Sequence, residues 1–258
     1  MMRVCNPRLT LRTIFAFALM TILAAPSFAD APRTALSPAE RGRLVRVLTD
    51  AVNRRDFVGV HAAEALVDVG LLEPARKAFE PQADSKEPAY RIGVWRVMAR
   101  VETADKARRA QYVERIRAVL LDHQAADRVH ACETLAKLNE PITLDAERTA
   151  VDAMAKDPAA GPFALWRLVQ AGEPSAMDRL TAALKASDEI GRSRAAYVLK
   201  WLRGPAQTRP SAIDAAAERE RLEQQLTDSD EDLRVAAALA LLLLDDATRS
   251  APTTRPRS

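Results

Sequence analysis

The sequence predicts an all-α solenoid of about six helix pairs, and three observations carry that prediction. The first is an internal repeat. Gly59, Arg91, Arg128, Pro162, Arg192 and Arg234 mark one position in six segments, spaced by 32, 37, 34, 30 and 42 residues. Counting from each marker, position +3 reads Ala62, Val94, Ala131, Leu165, Ala195 and Ala237. Position +4 reads Ala63, Trp95, Cys132, Trp166, Ala196 and Ala238, and +7 reads Leu66, Met98, Leu135, Val169, Leu199 and Leu241. Every one is apolar, on one face of a helix, and the period is that of helical-repeat solenoids. The second observation is composition: only 8 of 258 residues are Gly, while Ala, Leu and Arg are abundant, which favours helix. The third is that no run alternates with period two over a useful length, so no sheet is expected.

The elements follow in order. Residues 1–29 read as a secretory signal peptide. Arg3, Arg8 and Arg12 form a basic start, Ile14 to Ala25 is an apolar run, and Ser27-Phe28-Ala29 offers small residues at the cleavage positions. A twelve-residue run rises only about 18 Å as a helix, against the roughly 30 Å hydrocarbon core. Cleavage after Ala29 is therefore expected, rather than retention as an anchor, and the mature chain has no further membrane-spanning stretch. Residues 30–36 read as a linker. Ser37-Pro38-Ala39-Glu40 opens the first helix with a capping box and Pro at N1. Asp56 opens the second, and Gly70 is a natural C′ residue. Pro74 starts a short third helix. Further helices are expected near 88–102, 105–122, 127–138, 144–156, 162–171, 175–186, 189–203, 212–226 and 230–245. Breaks fall at Asn139-Glu140-Pro141, Asp157-Pro158, Gly172-Glu173-Pro174 and 203–210, the longest and a candidate hinge. The solenoid thus spans 37–248, and 249–258, rich in Pro, Thr and Arg, reads as a disordered tail.

The strings VHAAEAL (60–66), VHACETL (129–135) and LRVAAALAL (233–241) resemble the HEAT family, in its short bacterial form related to phycobilin lyases. Arg91, Arg128, Arg192 and Arg234 match that family's Arg at the start of the second helix, and Asp56 and Asp127 its turn Asp. The resemblance covers roughly 54–245. It implies a right-handed, armadillo-like superhelix. It also implies scaffold or adaptor roles more often than enzymatic ones. Gly59 and Pro162 depart from the family's Arg.

Positions +2, +5 and +9 lie opposite the apolar face, where the family places its concave lining. There stand His61, Glu64, Arg96, Arg100, His130, Glu133, Arg167, Arg194, Tyr197 and Trp201, the candidate binding stripe. The +5 column alternates Glu64, Arg96, Glu133, Arg167. It reads either as a recognition groove or as a ladder of ion pairs worth roughly 0–1 kcal/mol each. Arg194, Tyr197 and Trp201 add a cation and two aromatics, residue types enriched at binding hot spots. Trp201 either stands exposed or packs under the 203–210 loop, and Trp95 reads as core. The last repeat, VAAALALLLL (235–244), is apolar all round and must be covered. Either the preceding helix and the tail cover it, or a partner or second copy does through Leu239 and Leu243.

Chemistry is sparse. The three His are His61, His123 and His130. His61/Glu64 and His130/Glu133 have the i, i+3 spacing of metal-sharing pairs, and the HEAT protein deoxyhypusine hydroxylase holds iron through adjacent His-Glu pairs. Here the two pairs are separated by two repeats, roughly 20 Å, too far to share a metal. No nucleophilic triad, Gly-rich phosphate loop or zinc spacing occurs, and no cofactor is expected. The chain carries 38 basic and 35 acidic residues, and the signal segment holds three Arg and no acid. The mature chain is thus formally neutral, unlike a nucleic-acid binder. The expectation is an exported scaffold or adaptor of the cell envelope, secreted or periplasmic, binding a protein or peptide. The alternatives are an enzyme or accessory subunit, lyase-like or metal-dependent, using the His/Glu pairs, and a self-associating structural protein.

Overall fold

A computed structural model describes residues 35–207 and 215–250. The expected signal peptide, most of the expected linker, residues 208–210 of the expected hinge and the expected tail beyond Ser250 lie outside them. The described chain is all-helical. Its helices are α1 (Pro38–Ala51), α2 (Phe57–Asp68), α3 (Leu72–Phe79), α4 (Tyr90–Val101), α5 (Lys106–Leu121), α6 (Arg128–Lys137), α7 (Asp145–Met154), α8 (Gly161–Gln170), α9 (Ala176–Ala183), α10 (Glu189–Gln207), α11 (Ala215–Gln225) and α12 (Glu231–Ser250), with a 3₁₀ turn at Glu80–Gln82.

The local signals act as the residues suggest. Ser37 Oγ accepts from Glu40 N–H and Glu40 returns to Ser37 N–H, closing the capping box. Asp56 caps α2 by accepting from Gly59 N–H at 3.1 Å. Gly70 takes φ +78° after α2, and Leu71 N–H reaches back to Leu66 O at 2.8 Å. That is the left-handed C′ turn which Gly adopts without a Cβ penalty. Three boundaries differ from expectation. The third helix begins at Leu72, with Pro74 inside its first turn, where a missing N–H costs nothing. Helix α10 runs through Gly204 and Pro205 to Gln207, so the expected break begins later. Helix α12 takes in Arg249 and Ser250 of the expected tail.

The apolar columns form the core. All +3, +4 and +7 residues are buried except Val169, half-buried, and Ala196, exposed. Trp95 is 7% exposed, and its indole N–H donates to Ala83 O at 2.7 Å.

The expected single solenoid divides into two compact units. One runs to Pro74 and resumes at Pro205; the other is Ala75–Gly204. Within the second unit the helices form two layers. Helices α4, α6 and α8 pack consecutively, α5 packs on α7, and α5 also covers α4 and α6. Each of these helices thus packs chiefly on helices close to it in the chain. The first unit departs from it: α12 packs on α1 and α2, the opposite end of the chain, as well as on α11. A linear stack has no such contact. The cause is visible in α12, whose side chains from Val235 to Leu242 are all buried. A helix apolar on every side needs more cover than one neighbour supplies.

Gly59 explains one departure from the repeat. A Cβ built there would stand 2.2 Å from the backbone carbonyl oxygen of Arg54, so the tight α1–α2 turn admits no side chain. Gly59→Ala is expected to destabilise the first unit by about 1–3 kcal/mol, the usual cost of overpacking. A urea midpoint followed by circular dichroism checks this, and an unchanged midpoint refutes it.

Candidate functional site

The stripe read from the sequence is divided between the units. His61 and Glu64 belong to the first, and both are buried, at 6% and 7% exposure. His61 Nδ1 lies 3.2 Å from Asp232 Oδ1 on α12. Here the expected open lining is instead part of the packing of α2 against α12, because α12 covers that face.

In the second unit, α6 supplies His130, Glu133 and Lys137, one turn apart in succession. Helix α4 supplies Arg96, and α10 supplies Arg194, Tyr197 and Trp201. Lys137 Nζ pairs with Glu133 Oε1 at 2.8 Å and stands 5.5 Å from the centre of the Tyr197 ring. Arg96 Nη1 donates to Thr134 Oγ1 at 3.1 Å. Arg194 Nη1 donates to Ala159 O at 3.0 Å, and its guanidinium carbon sits 5.2 Å from the Phe163 ring centre. Arg100, one turn beyond Arg96, is half-buried.

An aromatic wall adjoins the charges. Tyr197 meets Phe163 edge-on at 6.2 Å and Trp166 at 6.4 Å. Trp201 lies 5.7 Å from Trp166 and 6.3 Å from Tyr197. Trp166 is core, whereas Trp201 is 37% exposed, so it presents an indole to solvent.

The electrostatics follow from this crowding. Burial raises the Glu133 carboxyl, but Lys137, Arg96 and His130 outweigh it and hold its pKa down to about 2. Burial depresses His130 despite Glu133 beside it, and Arg96, Arg194 and Lys137 push it further down. His130 is therefore neutral at pH 7. Burial pushes the Tyr197 hydroxyl up to about 12 and lowers Arg194.

Arg167 belongs to a different arrangement. It is fully buried, and Nη2 donates to Glu147 Oε1 at 2.6 Å. Glu147 is itself fully buried, on α7, and Arg117 Nε stands 3.4 Å from its other oxygen. The +5 ladder therefore holds only in part. Arg96 acts on Glu133, but Arg167 takes its partner from the other layer of its own helix pair. Cys132 lies within range of this network, and burial pushes its thiol up to about 12, which removes it as a nucleophile.

Leu239 is 3% exposed and Leu243 half-buried. The apolar patch assigned to a partner or second copy is covered by α1 and α2 of the same chain. Neither cover offered by the sequence included them. Among the described residues no three His, Cys, Asp or Glu side chains are grouped to hold a metal, and no helix is long and apolar enough to cross a membrane.

Sequence reasoning missed Glu147, Arg117 and the central place of Lys137. Glu147 carried a signal: it heads the buried series Ala150, Val151 and Met154 at i+3, i+4 and i+7 of α7. An acid in register with an apolar face implies a buried partner.

Compared with known proteins, the chain matches no family model and no curated protein.

Proposed function

We propose that this is an exported, right-handed HEAT-like α-solenoid protein that serves as a protein–protein interaction scaffold or adaptor in the cell envelope. The observation that carries the reading is the cluster on α4, α6 and α10. Residues of three repeats, placed on one stripe by sequence spacing alone, come together around Glu133, and Trp201 stands partly exposed beside them. A cation beside an accessible aromatic is a common anchor at protein interfaces. The two-layer packing of α4–α8 and the repeat at 30–42 residues support the HEAT-like reading. Export rests on the basic and apolar pattern of residues 1–29.

The test is crosslinked affinity capture from the native envelope fraction, read by mass spectrometry, with wild type beside an Arg194→Glu/Trp201→Ala variant. The expected result is a dominant partner captured by wild type and lost from the variant, on bait that begins at Asp30. Equal capture by both proteins removes the stripe as the binding face. Bait found only in the cytoplasmic fraction with residues 1–29 attached removes the export.

A further inference from the structure

We propose that the chain self-associates through α9, two copies setting this helix antiparallel about a two-fold axis near Thr181. This goes beyond the scaffold reading and does not depend on it.

Helix α9 buries one face and leaves the adjoining one open. Ala176 and Leu180 are fully buried, and the helix packs chiefly on α8. Met177 and Leu184 are each 38% exposed. Exposed apolar side chains are ordinary one at a time. These two stand seven residues apart, about two helical turns, with Thr181 at i+4 between them, so they line one stripe. Thr181 brings no unmet polar group to it, because its hydroxyl donates to Met177 O at 2.9 Å. Arg179 is engaged within the fold, where Nη2 donates to Ala155 O at 3.2 Å.

Charge selects the occupant. Asp178 and Lys185 flank the stripe, both exposed, and neither side chain has a partner among the described residues. They too are seven residues apart. In an antiparallel pair, a residue before the two-fold axis faces one equally far beyond it. Met177 therefore meets Leu184 of the second copy, and Asp178 meets Lys185 of the second copy, each contact occurring twice. A parallel pair would set like charges side by side. Matching of a surface to itself is what an isologous interface requires. A foreign helix would need the same acid-to-base spacing, which a second copy has by construction. The surface is separate from Leu239 and Leu243, which α1 and α2 cover. Eight residues rise only about 12 Å, so the dimer is weak and small among specific interfaces.

Sedimentation equilibrium on the mature chain tests the proposal. The expected result is a monomer–dimer equilibrium with a Kd of about 0.1 mM. Asp178→Lys and Lys185→Asp should each weaken it about ten-fold, since each turns two attractions into two repulsions. Mixed one to one, the two variants should pair with each other as well as wild type does, because each presents the charges that the other lacks. The mixture separates the interface from the helix itself. An acid near the start of α9 and a base near its end also suit the helix dipole, so either reversal could loosen α9 alone. Adding the other variant would not mend a loosened helix. Met177→Glu, at an exposed position, should abolish the dimer and leave the urea midpoint unchanged. Wild type that stays monomeric at about 1 mM, a dimer indifferent to both charge reversals and to Met177→Glu, or folded variants that fail to pair when mixed overturns the proposal.

Discussion

Glu147→Ala is expected to cost the protein about 3–5 kcal/mol, the largest effect of any single polar substitution in the second unit. The carboxylate lies at zero exposure between Arg167, also fully buried, and Arg117, which is 11% exposed. Removing it leaves the buried Arg167 guanidinium without its counter-ion, while Arg117 keeps Glu114 and, at 3.6 Å, Glu140. Arg167 already has Nε and Nη1 buried without hydrogen bonds, so nothing else is in place to take up the lost interaction. Burial already lowers the Arg167 pKa, with Glu147 opposing the shift. Glu147→Gln keeps the shape and an acceptor but loses the charge, so it should fall between Ala and wild type. The double substitution Glu147→Leu/Arg167→Met should recover most of the loss, since a packed apolar pair often replaces a buried ion pair without penalty. All three Trp, Trp95, Trp166 and Trp201, lie in this unit. A urea transition followed by Trp fluorescence therefore reads it directly. An alanine variant within 1 kcal/mol of wild type would show that Glu147 does not neutralise Arg167.

How much of this was legible depends on the range of the force involved. The helices were, because capping and apolar period act within a few residues: Ser37 with Glu40, Asp56 with Gly59, Gly70 at φ +78°. The core columns were, because +3, +4 and +7 share a face whatever the partner. The stripe was legible as a stripe but not as a site. Its fate depends on what lies opposite each helix, and the repeat gives that only if every repeat is stacked alike. Arg96, His130, Glu133, Arg194 and Tyr197 come together because α4, α6 and α8 do stack in order and α10 adjoins α8 through Tyr197 and Phe163. His61 and Glu64 do not join them in the second unit, because α12 packs on α2. That contact joins residues 171 apart in the chain, and no local pattern encodes it.

Leu239→Glu tests that long-range contact with the second large effect. The sequence alone leaves Leu239 and Leu243 either under the preceding helix and the tail or against a partner or second copy, and in the second case a charge would break association and leave the fold intact. In the structure Leu239 is 3% exposed on a helix packed against α1 and α2. Losing its apolar burial costs about 1.5–3 kcal/mol, and an unpaired carboxylate placed there adds a further penalty. The first unit should therefore melt well before the second. Helicity by circular dichroism would fall in an early transition that Trp fluorescence does not follow, since the first unit contains no Trp. Leu243→Glu, at a half-buried position, should cost about 1 kcal/mol or less. The ordering of the two variants decides the matter. If both are tolerated alike, α12 does not close the first unit. If Leu239→Glu alone unfolds it, the N-terminal helices depend on the C-terminal end of the chain. Asp245 gives that dependence a polar clasp, accepting from Leu36 N–H at 2.7 Å and pairing with Arg41 at 3.1 Å. Asp245→Ala should then shift the same early transition in the same direction, because its buried carboxylate holds the entry to α1 against the last turns of α12.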